Sequence, residues 1–260
     1  MKVVILAGGF GTRISEESHL KPKPMIEIGD MPIIWHIMKT YSHYGFNEFI
    51  ICCGYKGYLI KEYFRNYFLY RSDITFDFSD GNKMEVHSKQ VEPWKVTLVD
   101  TGLNTMTGGR IKQIQKYINP GESFMLTYGD GVSDIDLSNL IRFHKEMGKI
   151  ATLTAVNPTG KYGVLNIAED GVIQSFEEKP NNTMGWINGG YFVLNYEVFD
   201  YIQDDNATIF ERGPIEDLVN NQELAAYRHN GYWQCMDTMR DRVILEELWN
   251  GNQAPWKVWN

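Results

Sequence analysis

The densest chemistry lies near the start of the chain, where Leu6-Ala7-Gly8-Gly9-Phe10-Gly11-Thr12-Arg13 follows directly on an apolar run. Three glycines within four positions let the backbone approach an anion closely and turn its N–H groups toward it. Thr12 adds a hydroxyl donor, and Arg13 offers a planar fork that matches two phosphate oxygens. The segment is therefore built to cradle a polyphosphate. Two better-known loops of this kind do not fit it. A dinucleotide fingerprint needs a third glycine where Ile14 stands, and a P-loop needs Gly-Lys-Ser/Thr where this chain has Gly-Thr-Arg.

A basic pair follows in Lys21-Pro22-Lys23-Pro24-Met25. Prolines on both sides stiffen the backbone around Lys23, which makes it the side chain to reach back to a phosphate, whereas Lys21 reads as a solvated charge. Asp130 stands between glycines in Tyr128-Gly129-Asp130-Gly131, at the carboxyl end of an apolar run. A carboxylate so placed meets a metal ion without steric hindrance, on the strand edge where open parallel sheets bind ligands. Asp237 is a second such carboxylate and could equally cap a helix. Tyr128 is open to two readings, a hydrogen-bonding wall of the site or a packed core ring. Arg110, in Thr105-Met106-Thr107-Gly108-Gly109-Arg110, either faces a ligand or is a solvated residue opening a helix.

These residues need a scaffold, and the periodicity supplies one. Apolar runs at 3–6, 49–53, 124–128 and 151–155 alternate with segments of helical spacing, including Ile33, Ile34, Ile37, Met38, Tyr41 and Tyr44. This rhythm predicts an α/β fold with a doubly wound, mostly parallel central sheet. Two stretches read differently. Short strands between 73 and 100, around Asp80-Gly81-Asn82, predict a β-hairpin insertion. A second, smaller β-rich group of strands extends from Tyr162 to Leu194. Thr238 with Asp241 predicts a helix cap. No Pro/Ser-rich linker divides the chain, so one domain over 1–260 is expected.

The formal charge of −8 argues against a nucleic-acid partner, although a local basic cleft can still hold a triphosphate. The opening apolar run ends at Gly8-Gly9, too soon for a signal peptide, and no later run is long enough to span a membrane. Three cysteines, two of them adjacent, make no disulfide framework. The cytoplasm is the natural compartment. Neither a nucleophile elbow nor a zinc cluster is present, and the six histidines are scattered.

The loop signature through Arg13, together with Lys23-Pro24-Met25, resembles that of the sugar-1-phosphate nucleotidyltransferases. Trp35-His36-Ile37-Met38, Cys52-Cys53-Gly54-Tyr55-Lys56-Gly57-Tyr58, Val91-Glu92-Pro93-Trp94 and Asp100-Thr101-Gly102 are similar to the family's cytidylyl branch. The resemblance runs from the first strand to Ala254-Pro255-Trp256-Lys257. It implies a Rossmann-like nucleotidyltransferase fold, transfer from CTP to glucose 1-phosphate, Mg²⁺ as cofactor, a homo-oligomer, and supply of CDP-glucose to lipopolysaccharide O-antigen biosynthesis. UTP or dTTP in place of CTP, or a silent nucleotide-sensing subunit, are the competing readings. Leu6, Ala7, Gly8, Gly9, Gly11, Thr12, Arg13, Lys23, Thr105, Arg110 and Gly129 would bind the nucleotide, with Thr105 and Arg110 beside the base. Tyr128, Gly163, Glu178, Lys179, Asn188 and Gly189 would bind the sugar phosphate, most of them in a sugar-binding part of about 160–237. Asp130 and Asp237 would hold the metal, with Arg13, Lys23 and Asp130 carrying the catalysis.

Overall fold

Val3–Ala7 (β1) is apolar at every position, and every residue is buried. Such a run cannot lie at a surface; it belongs in the middle of a sheet covered on both faces. Val3, Ile5 and Ala7 pack into one core cluster, and Val4 and Leu6 into another, the two-residue period of a strand with core on each side. Full burial of each such side chain stabilises the fold by about 1.5–3 kcal/mol.

The structure, a computed structural model, describes residues 1–87, 91–157, 164–167, 173–177 and 185–259. After β1 come α1 (Ile33–His43), β2 (Glu48–Cys53), α2 (Gly57–Tyr70), β3 (Lys95–Asp100), α3 (Thr107–Gln113) and β4 (Phe124–Tyr128). The chain continues through α4 (Leu137–Met147), β5 (Ala151–Val156), β6 (Ile187–Leu194), α5 (Pro214–Asn220), β7 (Leu224–His229) and α6 (Met239–Asn250). These seven strands form one sheet in the order β7-β5-β6-β4-β1-β2-β3. Neighbours run parallel except at β6, which is antiparallel to both β5 and β4. Side chains of α1, α2, α4 and α6 cover one face; those of α3 and α5 cover the other. The mostly parallel, doubly wound sheet expected from the periodicity is what the chain builds.

Two boundaries differ from the sequence reading. The hairpin excursion is limited to Ile74–Asp77 and Lys83–Val86, which pair antiparallel; Lys95–Asp100 instead joins the main sheet as its edge strand, parallel to β2. Val96 and Leu98 pack on the core and Trp94 meets Phe49 edge-on at 5.9 Å, so the run is held by the sheet and not by the hairpin. The expected second group of strands, over 162–194, also divides. Val164–Ile167 pairs with Ile173–Glu177 as a small sheet, while β6 and β7 belong to the main one. Residues 189–194 are buried throughout, which suits a central strand.

The C-terminal segment is locked to α1 through His36. Its Nδ1 accepts from the Trp256 indole N–H at 3.3 Å, which leaves Nε2–H to donate to the Ile28 carbonyl at 2.8 Å. Burial lowers the His36 pKa to about 4, so the ring stays neutral as a structural element. Cys52 and Cys53 are buried thiols of β2, with burial pushing Cys53 up to about 11.

At the head of α6 the predicted cap is present and reciprocal. Thr238 Oγ1 accepts from the Asp241 N–H at 3.2 Å, and Asp241 Oδ2 accepts from the N–H groups of Thr238 and Asp237 at 2.9 and 3.1 Å. The cap thereby fixes the backbone of Asp237 itself. Thr238→Ala should cost about 1 kcal/mol. Asp241→Ala, which strands several donors, should cost about 2–4 kcal/mol. Urea unfolding curves of the two variants check this order.

Candidate active site

The loops that follow β1, β2 and β4 leave the same edge of the sheet, because these strands are adjacent and parallel, with Leu6 opposite both Cys52 and Tyr128. Ligands of open parallel sheets bind at that edge. The 8–13 loop ends in the turn Thr12–Ile14, whose Ile14 is fully buried while the Arg13 side chain is 72% exposed. Lys23, Pro24 and Met25 form a buried single turn entered from the extended Pro22. Pro24 lies so close to Gly129 that a Cβ at Gly129 would sit 3.0 Å from its ring, so the Lys-Pro-Met turn is seated directly on the end of β4.

That seat aims Lys23 at two carboxylates. Its Nζ lies 2.6 Å from Asp130 Oδ2 and 2.6 Å from Asp237 Oδ1, and Arg13 Nη1 lies 2.6 Å from Asp237 Oδ2. Burial alone would lower the Lys23 pKa, but Asp130 and then Asp237 outweigh it and hold the ammonium above its ordinary range. Burial would likewise raise Asp237; the hydrogen bond and charge of Lys23, with Arg13, hold it below the usual 3.8 instead. Asp237 is thus part of this charge cluster, and Thr238 with Asp241, not Asp237, caps α6. A short ribbon brings the carboxylates together: Gly131–Ser133 pairs antiparallel with Trp233–Cys235, and the Met236 N–H donates to the Asp130 carbonyl at 2.8 Å.

Two cavities meet here. The larger, of about 600 Å³, is lined by Leu6, Ala7, Gly8, Gly9, Gly11, Thr12, Arg13, Lys23, Thr105, Arg110, Tyr128, Gly129 and Asp130. The smaller, of about 230 Å³, includes Asn188, Gly189 and Asp237, and shares Arg13, Tyr128 and Asp130 with the first. Eleven nucleotide-side residues and three sugar-side residues, Tyr128, Asn188 and Gly189, marked in the sequence are therefore brought together; Gly163, Glu178 and Lys179 lie outside the described residues. The spacing of the chain did not point to Phe10, Thr107, Ile209 or Glu211 in the larger cavity, nor to Trp233 and Cys235 in the smaller. Phe10 leans on Tyr55, centroids 5.3 Å apart. Only the proximity of Trp233 and Cys235 to Asp237 in sequence could have drawn notice to them.

Arg110 lines the larger cavity and is not the solvated residue its sequence context also offered. It is buried in the first turns of α3, which begins at Thr107. Nη1 donates to Thr101 Oγ1 at 2.6 Å, the Gly102 carbonyl at 2.8 Å and the Cys53 carbonyl at 3.2 Å; Nη2 donates to the Gly8 carbonyl at 3.0 Å. A Cβ at Gly8 would lie 2.2 Å from Nη1, so only glycine admits the guanidinium there. As folded, Arg110 braces the phosphate-loop backbone against the ends of β2 and β3.

The donor set suits a hard divalent cation. Two carboxylates converge on one point, now filled by an ammonium, and no third His, Cys, Asp or Glu among the described residues completes a cage. One or two carboxylates plus water and phosphate oxygens is the usual protein share of a Mg²⁺ shell.

Both the fold and this site are those of enzymes that transfer nucleotidyl groups. The chain belongs to the nucleotidyl transferase family, whose sequence model matches residues 2–241. It is 58% identical over 259 residues to the glucose-1-phosphate cytidylyltransferase of Salmonella typhi, covering 100% of both chains. It is 46% identical, again over 100% of both, to the probable glucose-1-phosphate cytidylyltransferase of Bacillus subtilis (strain 168). Among solved structures, HddC from Yersinia pseudotuberculosis superposes with a TM-score of 0.67 at 25% identity, covering 95% of this chain and 99% of that one. UDP-glucose pyrophosphorylase complexed with UDP-glucose gives 0.67 at 17% identity, covering 96% and 98%, a likeness of fold.

Two predictions follow from the charge cluster. Lys23→Met leaves two carboxylates facing each other, and should lower stability by about 3–5 kcal/mol in metal-free buffer and by much less in millimolar Mg²⁺, read by thermal melts in both. Because the folded pKa of Asp237 lies below 3.8, its share of stability is present above that pH and lost as pH falls through the lower folded value. Melting temperatures of wild type and Asp237→Asn should therefore differ at neutral pH and converge only in strong acid.

Proposed function

We propose that the chain transfers a cytidylyl group from CTP to α-D-glucose 1-phosphate, releasing pyrophosphate and forming CDP-glucose. The observation that carries the reaction class is the meeting of two cavities at Arg13, Tyr128 and Asp130, beside a lysine held between two carboxylates. The choice of CTP and glucose 1-phosphate rests on the full-length identity to the Salmonella typhi cytidylyltransferase.

In this reading a sugar-phosphate oxygen attacks the α-phosphorus of CTP in line. The new O–P bond forms as the bond to the β-phosphate oxygen breaks, and pyrophosphate carries off the electron pair. The nucleophile is already an anion, so no general base is required. The main need is to bring two anions together, which positive charge and positioning provide. Positioning alone can contribute about 7–11 kcal/mol.

The 8–13 loop offers its N–H groups to the triphosphate, braced from behind by Arg110. Asp130 and Asp237 would hold Mg²⁺, which when bound neutralises phosphate charge and orients the triphosphate. Lys23 and Arg13, which now pair with those carboxylates, would then contact phosphate oxygens. Thr105 is assigned to the base wall, Asn188 and Gly189 to the sugar wall, with Gly163, Glu178 and Lys179 completing it. Arg110 is assigned to the base wall beside Thr105, its guanidinium held in place by the Thr101 hydroxyl and the carbonyls of Gly8, Cys53 and Gly102. Compartment and assembly complete the proposal: a cytoplasmic homo-oligomer. No described helix is long and apolar enough to cross a membrane, and Phe76, Phe78 and Met84 expose an apolar face on the 74–86 hairpin that supports self-association.

Pyrophosphate release with glucose 1-phosphate and Mg²⁺, measured separately with CTP, UTP, dTTP, ATP and GTP, tests the proposal. Release with CTP should exceed the others at least about a hundredfold in kcat/KM, the scale on which a hydrogen-bonded base pocket discriminates. Comparable release with several triphosphates would keep the class and overturn the base assignment. No release with any, from folded protein, would overturn the proposed reaction.

A further inference from the structure

Glu211 was not marked by any sequence motif, yet it lines the larger cavity with both carboxylate oxygens engaged. Oε1 accepts from the Tyr128 hydroxyl. Oε2 accepts from Thr107 Oγ1 at 2.6 Å, and that hydroxyl in turn accepts from the Phe210 N–H at 2.9 Å. A carboxylate can only accept, so the Tyr128 proton points to Glu211 and the phenol oxygen is left as an acceptor. Asn188 Nδ2 donates to it at 3.3 Å, and Asn188 Oδ1 accepts from the Gly190 N–H at 2.8 Å. Every donor in this chain thereby has one direction. The relay starts at the head of α3 on the nucleotide side, crosses through Glu211 and Tyr128, and ends at Asn188 on the sugar side.

Such a relay does not touch the reacting atoms. It sets where the Tyr128 ring and the Asn188 amide stand in the smaller cavity, and it ties that placement to the nucleotide-side helix. Resting on the reading of this site as a nucleotidyl-transfer centre, we propose that Glu211 is a positioning residue: through Tyr128 and Asn188 it fixes the sugar-phosphate wall, and through Thr107 it couples that wall to the nucleotide wall.

Steady-state kinetics of a double-mutant cycle tests it, with the sugar 1-phosphate that the wild type turns over. Wild-type turnover reports on the reading of the site; the comparison among variants reports on the relay. Glu211→Ala and Tyr128→Phe should each raise the KM for sugar phosphate about tenfold, leave kcat within about threefold, and together do no more than the worse of the two. Glu211→Gln keeps the volume and the Tyr128 contact but cannot accept at both ends, and should fall between. Thr107→Val, a change on the nucleotide side, should raise the sugar-phosphate KM severalfold in the wild-type background and not at all beside Glu211→Ala. An unchanged sugar-phosphate KM in Glu211→Gln and Thr107→Val, or additive effects of Glu211→Ala and Tyr128→Phe, would overturn the proposal. If Glu211→Ala fails to fold, the Gln and Val variants with Tyr128→Phe close the same cycle.

Discussion

A buried ammonium between two carboxylates organises this molecule. Lys23, Asp130 and Asp237 come from regions of the chain more than a hundred residues apart, yet Nζ lies 2.6 Å from an oxygen of each aspartate. Taking three charges out of water is costly unless they are paired, and these are paired with one another. The pairing in turn requires the rest of the fold. Pro24 must rest on Gly129, the 131–133 ribbon must hold Asp237 beside Asp130, and the α6 cap must fix the Asp237 backbone. A site assembled from such distant pieces needs a rigid sheet beneath it, and β1, buried at every residue between β4 and β2, supplies the rigidity.

The same cluster explains how an acidic chain can bind acidic substrates. The protein's net charge is −8, and its active-site cations are neutralised internally by the carboxylates suited to a divalent ion. In the proposed reaction a divalent cation would take the place of Lys23 and Arg13 as partner of those carboxylates, and both side chains would then be available to phosphate. Arg110 plays a different part, spending its donors on the carbonyls of Gly8, Cys53 and Gly102 and so giving the phosphate loop a fixed shape. One arginine, Arg13, lines both cavities with an exposed side chain, and another holds the wall; their sequence contexts, both in glycine-rich segments, do not tell them apart.

How much could be read in advance depended on the range of the interactions. Strands β1, β2, β4 and β5 announce themselves because a buried parallel strand is a continuous apolar run, and the phosphate loop because its glycines and arginine are contiguous. The α6 cap, a contact three residues long, was equally plain. The role of β3 was hidden: an edge strand with half-exposed side chains reads like the hairpin before it. The bracing role of Arg110 was hidden, since its acceptors, the Thr101 hydroxyl and the carbonyls of Gly8, Cys53 and Gly102, come from separate parts of the chain. Glu211 was invisible, because its partners Thr107 and Tyr128 lie 104 and 83 residues away.

The most direct test of the central claim is a crystal structure of the protein with CTP and Mg²⁺. The account predicts a metal ion on the carboxylates of Asp130 and Asp237, with the Lys23 ammonium withdrawn from at least one of them and within hydrogen-bond distance of a phosphate oxygen. A structure in which Lys23 still bridges both aspartates while the metal and triphosphate are bound elsewhere would contradict it.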